Sequence, residues 1–215
     1  MSRVLPILFN TEMVRAILDG RKTCTRRLVK PQPKSKLCYT FAGSDSDTWG
    51  YPNRTAHEIW GEEFKLPNDI TEEELSKRWN PPYHTDDILY VRETWCGLPV
   101  NEAGHMRGHT IYYYKADGEL RPKGWRGTWH PSIHMPKEAS RIWLKVTDVR
   151  VERLQDMTDD DAEAEGCFDY TSTALGFFDV WDSTIKKSDL DRYGWNANPW
   201  VWVIKFERCE KPEGV

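Results

Sequence analysis

The chain has 215 residues, 39% hydrophobic, 30% charged and 13% aromatic, with a formal net charge of −4. Disordered chains lack that share of aromatics and membrane-embedded chains lack that share of charges, so a soluble globular protein is expected. An acidic balance also excludes a grip on nucleic acid spread over the whole surface; any polyanion site must be local. Five cysteines at positions 24, 38, 96, 167 and 209 include no C-x-x-C pair. They suggest neither a disulfide framework nor a zinc ribbon, and a reducing cytoplasmic location is expected. The apolar opening, Val4 to Phe9, is too short for a signal-peptide core, and no later segment could span a bilayer.

In chain order, Val4 to Phe9 reads as a buried strand. Thr11 then caps a helix over about Glu12 to Asp19, with Met13, Ala16 and Ile17 inward, and Gly20 stops it. From Arg21 to Lys36 the chain carries seven basic residues and no acid, the sharpest charge anomaly in an acidic protein. Residues from about 38 to 85 are polar and turn-rich, with Ser44 to Asp47, a short helix over Glu72 to Arg78, and Pro81-Pro82. Asp87 to Trp95 and Thr110 to Lys115 read as strands around a hairpin-like loop. Arg141 to Leu154 alternates as a long strand whose apolar parity switches near Asp148, which predicts a bulge or bend. Thr158 and three following aspartates open a helix that Gly166 stops, and a second helix covers about Leu175 to Lys186. Trp200 to Phe206 is apolar on both faces, as a central strand would be. No linker separates two cores, so the expectation is one α+β domain over 1–215. Its core is a small mixed or antiparallel β-barrel with flanking helices and long loop insertions at about 31–85 and 97–140.

Gly20-Arg21-Lys22-Thr23-Cys24-Thr25-Arg26-Arg27 follows the first helix stop. Lys22 and Thr25 are three apart and would face opposite sides of a regular strand, so a joint site needs a turn between them. The segment resembles the G-x-K-x-x-E-x-R signature of ASCH domains, a branch of the PUA-like folds linked with RNA: Gly20, Lys22 and Arg27 match, and Thr25 stands in the Glu place. Thr in that place is similar to the ASCH subgroup that hydrolyses N4-acetylcytidine. The resemblance implies a catalytic set of Lys22 as base or charge stabiliser, Thr25 as nucleophile or water-orienter, and Glu165 as general acid/base. Asp161 lies one turn before Glu165 on the same face, a like-charge neighbour. The bland readings are a solvated basic stretch and an exposed acidic helix. Tyr90 to Trp95, Pro131 to Pro136 and Tyr193 to Trp200 resemble stretches of longer phage and prophage ASCH proteins.

The candidate nucleobase or nucleic-acid binding residues are Arg21, Arg26, Arg27, Arg92, Glu93, Trp95, Trp129, His134, Trp195 and Asn198. Arg92 suits a phosphate or a carboxylate and falls on the opposite strand face from Glu93 and Trp95. Trp125, Trp129 and Trp195 lie in loops and could stack on bases. Asn196 and Asn198 could read a base edge, although Asn beside Gly and Pro commonly forms turns. His105 and His109, and His130 and His134, have helical spacing among helix-breaking residues, so no metal site is expected. No phosphate-binding loop, nucleophile elbow or dinucleotide fingerprint occurs. The expected function is binding of a nucleoside, or of RNA or DNA carrying a modified base. Amide hydrolysis of N4-acylated cytidine-like nucleosides would follow, with no cofactor. The alternatives are a non-catalytic RNA or modified-DNA reader and a metal-independent ribonuclease.

Overall fold

A computed structural model describes residues 2–30, 32, 81–100, 109–118, 127–167 and 173–214. In chain order these form β1 (Val4–Leu8), α1 (Thr11–Leu18), β2 (Cys24–Leu28), β3 (Ile88–Arg92), β4 (Trp95–Val100), β5 (His109–Tyr114), β6 (Trp143–Arg153), α2 (Asp159–Ala164), α3 (Thr173–Thr184), α4 (Leu190–Tyr193) and β7 (Trp200–Cys209). Helices and a mixed sheet give the expected α+β class. The chain divides into two compact units, each assembled from discontinuous stretches. One comprises Met1–Thr23, Asp86–Lys145 and Glu207–Val215, the other Cys24–Thr85 and Val146–Phe206. The helix read over Glu72 to Arg78, the turn at Ser44 to Asp47, Cys38, His105 and Trp125 lie outside the described residues.

In the first unit β1 pairs in parallel with β3, from Val4 opposite Ile88 to Leu8 opposite Arg92. The other side of β3 pairs antiparallel with the start of β6. The single strand read from Asp87 to Trp95 is broken, because the Glu93 N–H donates to Met135 Sδ at 3.1 Å rather than to a ladder. The chain re-enters as β4, which forms a separate ribbon with β5, from Trp95 opposite Tyr114 to Val100 opposite His109. Within the second expected insertion, residues 97–100 and 109–114 are therefore strand.

The helix cap also shifts by one residue. Asn10, not Thr11, is the cap, and its side chain accepts from the Met13 N–H at 2.9 Å. Val14, Ala16 and Ile17 form the buried face, and Met13 is only half-buried. Gly20 takes φ 75°, a left-handed geometry that glycine adopts without a Cβ clash. The N–H groups of Arg21 and Lys22 then both donate to the Ala16 carbonyl, at 2.9 and 3.0 Å. Lys22 is thus held by the helix-ending turn, ahead of the regular strand β2 that begins at Cys24.

In the second unit β2 pairs antiparallel with β7, from Cys24 opposite Lys205 to Leu28 opposite Val201. Cross-strand partners share a face, so Cys24, Arg26, Val201 and Val203 stand on one side and Thr25, Arg27, Trp202 and Ile204 on the other. The Cys24 side packs on Leu154, Ala162, Phe177 and Trp181 from the turn after β6, α2 and α3. β6 runs unbroken, with burial passing from Leu144 and Val146 to Val149 across an exposed Thr147, the parity change read near Asp148. The strand order is β1-β3-β6 in the first unit and β6-β7-β2 in the second, an open series of pairings among the described residues. Cys24, Cys96, Cys167 and Cys209 carry thiols, not disulfides. No described helix is long and apolar enough to cross a membrane.

Candidate functional site

The most concentrated electrostatics of the second unit lies between β2, β6 and α2. Thr158 caps α2: its hydroxyl accepts from the Asp161 N–H at 3.2 Å, while the Asp161 carboxylate accepts from the Thr158 N–H at 3.3 Å. That reciprocal pairing fixes the Asp161 side chain. One turn later the helix ends at Glu165, whose N–H donates to the Asp161 carbonyl at 3.0 Å. Glu165 is only 4% exposed, so it is not part of a solvated acidic surface.

Arg26 reaches into this group from β2 with its side chain fully buried. Its Nη2 stands 2.6 Å from Glu152 Oε1 and 3.4 Å from Asp161 Oδ2, and its Nη1 lies 3.4 Å from Glu165 Oε1. The two acids of α2 therefore do not simply face each other, because one guanidinium bridges them. Arg150 on β6 adds contacts to Asp148, Glu152 and Asp161 at 3.3, 3.1 and 3.5 Å. Burial pulls the Arg26 guanidinium down, but the charge of Glu165 and then those of its other neighbours hold it above its ordinary value. For Asp161, burial pushes upward and is outweighed by the Thr158 hydrogen bond and by Arg26 and Arg150, leaving the carboxyl below its ordinary range. Arg26 Nε is buried with no hydrogen-bond acceptor among the described residues.

Thr25, 2% exposed, stands on the β2 face opposite Arg26. Arg27 shares that face; burial pulls its guanidinium down, opposed by the charges of Glu165 and Tyr83. In the first unit Lys22 is 3% exposed, with its ammonium 5.6 Å from the centre of the Phe9 ring. Arg21 is exposed and pairs with Asp19 at 2.8 Å. The basic run is thus divided: Lys22 and Arg26 are buried, while Arg21 and Lys30 are exposed.

The remaining sequence candidates fall into two groups. Arg92 donates to the carbonyls of Met135, at 2.8 Å, and Ile133, and so holds the Pro131–Pro136 turn rather than a carboxylate. Glu93, 1% exposed, takes both arms of Arg141 at 2.9 and 3.1 Å. Trp95 packs on Tyr112 and His130, and its indole N–H is buried without a hydrogen-bond partner among the described residues. Trp129 is half-buried and lines a cavity with Tyr112, Tyr114, Asp117 and Arg141. His134 is exposed at the end of a 3-10 turn. Trp195 and Asn198 belong to the second unit. Trp195 sets its edge on Phe177 and Phe178, and its N–H donates to Asp182 at 2.7 Å, so it is packed against α3 rather than standing free in a loop. Asn198 is a left-handed turn residue whose side chain accepts from the Gln155 N–H at 2.9 Å. Its amide serves the turn, as Asn beside Pro commonly does.

Sequence reasoning missed Glu152, Arg150, Arg141 and Asp117. Arg150 and Glu152 are two apart on β6, hence on one strand face, which was a readable signal for a paired charge. Among the described residues no group of His, Cys, Asp and Glu could hold a metal ion.

No family model matches the chain, and no curated protein matches it. Among solved structures it is similar to the crystal structure of an ASCH domain from Lactobacillus crispatus, at 10% identity and a TM-score of 0.42, over 96% of this chain and 79% of that one.

Proposed function

We propose that the chain is a nucleobase-binding protein of the ASCH type that hydrolyses the amide of N4-acylated cytidine-like nucleosides. The observation that carries this reading is the burial of all three residues of the set: Lys22, Thr25 and Glu165 are 3%, 2% and 4% exposed. Lys22 and Glu165 are therefore not solvated charges, although Arg21, Lys30, Asp159, Asp160 and Glu163 on the same segments are exposed, and polar groups withdrawn from water are costly unless they are partnered or used.

In this reading Arg26 is a positioning residue, holding the Glu165 carboxylate in one orientation. Glu165 takes a proton from the attacking water or from the Thr25 hydroxyl. Oxygen bonds to the acyl carbon, and stabilising the oxyanion that forms is the role the family resemblance implies for Lys22. The bond from the acyl carbon to N4 then breaks, N4 takes the proton, and the products are the free amine of the base and a carboxylic acid. If Thr25 is the nucleophile, an acyl ester forms first and one water releases it. One water is consumed in either case, and no cofactor is required.

The test is to incubate the purified chain with N4-acetylcytidine and follow cytidine by chromatography, for wild type and for Lys22→Ala, Thr25→Ala and Glu165→Gln. Turnover in the wild type and its loss in the variants supports the reading. Absence of turnover, alongside salt-sensitive oligonucleotide binding, would establish a non-catalytic reader instead.

A further inference from the structure

The first unit contains a cavity of about 270 Å³ lined by Tyr112, Tyr113, Tyr114, Asp117, Trp129 and Arg141. The catalytic reading makes no use of it. We infer that it is a second binding site, for a flat uncharged heterocycle with adjacent N–H donors on one edge, the chemistry of guanine.

Arg141 supplies the first argument. Its Nε and Nη2 are taken by Glu93 at 2.9 and 3.1 Å, and its Nη1 by Asp117 Oδ2 at 2.7 Å. One face of its guanidinium lies 4.0 Å from the centre of the Tyr114 ring. That ring is itself pinned by a 2.6 Å hydrogen bond from its hydroxyl to the Ala139 carbonyl. Arg141 nevertheless keeps 27% of its side chain exposed. With three of its five N–H donors bonded and one face covered, Arg141 has its remaining face and its outer N–H groups left for the cavity it lines. A guanidinium plane held this rigidly is a stacking platform for an aromatic ring.

Charge and size narrow the occupant. Glu93 and Asp117 are two carboxylates against one guanidinium, so a phosphate-bearing ligand is disfavoured and a donor-bearing one is favoured. Asp117 is 31% exposed, and its Oδ1 takes no hydrogen bond among the described residues. A carboxylate accepts through both oxygens, which matches a ring N–H beside an amino group. The volume, about 270 Å³, falls just below the roughly 300–1,000 Å³ of ligand pockets, which limits the occupant to one ring system.

The experiment is calorimetric titration of the full chain with guanosine, inosine, adenosine and guanosine 5′-monophosphate, for wild type, Asp117→Asn, Trp129→Ala and Glu165→Gln. Guanosine should bind, inosine about tenfold more weakly for want of the amino group, and adenosine and the monophosphate more weakly still. Asp117→Asn should erase the preference for guanosine over inosine while leaving the thermal midpoint nearly unchanged, because Glu93 still holds Arg141. Trp129→Ala should weaken all the nucleosides alike. No guanosine binding, equal binding of guanosine and adenosine, or a preference that survives Asp117→Asn would overturn the inference. Loss of guanosine binding in Glu165→Gln but not in Asp117→Asn would also overturn it, and would place the nucleoside at α2.

Discussion

Arg26 and Glu165 are 139 positions apart in sequence, yet Arg26 Nη1 lies 3.4 Å from Glu165 Oε1 in a buried ion pair. The same guanidinium holds Glu152 and Asp161, so the strand and the helix are tied by charge as well as by packing. Removing it strands carboxylates that have little water to turn to. Arg26→Leu is expected to destabilise the protein by about 3–5 kcal/mol, read by denaturant unfolding. Arg26→Lys should recover only part of the loss, since an ammonium cannot fork between three acids.

The acid limb of stability is a second consequence. The Asp161 carboxyl lies below its ordinary value in the folded chain, so its contribution is fully present above the unfolded value, about 3.9, and is lost as pH falls through the lower folded value. Thermal midpoints measured from pH 6 to pH 2 should therefore fall less steeply in Asp161→Asn than in wild type, from a lower starting point. Equal slopes would remove Asp161 from the account.

Much of this architecture was legible locally. The apolar runs of β1 and β7, the Thr158 start of α2 and the parity change in β6 are all carried by neighbouring residues. What escaped reading depends on distant partners. Nothing near Glu93 announces that Met135 will take its N–H and end β3. Nothing near Trp195 shows that α3 will cover it. Arg26 reads as one cation in a basic run until β6 and α2 bring three acids to it. The cap at Asn10 was missed for a local reason, since Asn10 and Thr11 are both good caps and adjacent.

Close packing at Gly194 gives a third prediction. A Cβ there would stand 2.7 Å from the Leu190 carbonyl oxygen and 3.2 Å from the Asp182 carboxylate that holds the Trp195 N–H. The carbonyl belongs to backbone and cannot swing aside. Gly194→Ala should cost about 1–3 kcal/mol and disturb the Trp195 environment, visible in near-ultraviolet circular dichroism.

Tyr114 offers a spectroscopic check on the first unit. Burial pushes its phenol up to about 12, despite the opposing charge of Arg141. The unfolded chain ionises this group near pH 10 and the folded chain holds it neutral, so it lowers stability as pH rises above about 10. In the wild-type minus Tyr114→Phe difference titration, tyrosinate absorbance should appear near pH 12 in folded protein. Absorbance near pH 10 would show the ring to be open to solvent.

The central claim is that Glu165, oriented by Arg26, takes the proton during hydrolysis of an acylated cytosine amide. Its most direct measurement is the rate of cytidine release from N4-acetylcytidine by wild type and by Glu165→Gln, with the folded state of each confirmed by its unfolding curve. The account predicts steady release by the wild type and a fall of about 10²-fold or more in a folded Glu165→Gln. Release by a folded Glu165→Gln at the wild-type rate, or no release by the wild type, would contradict it.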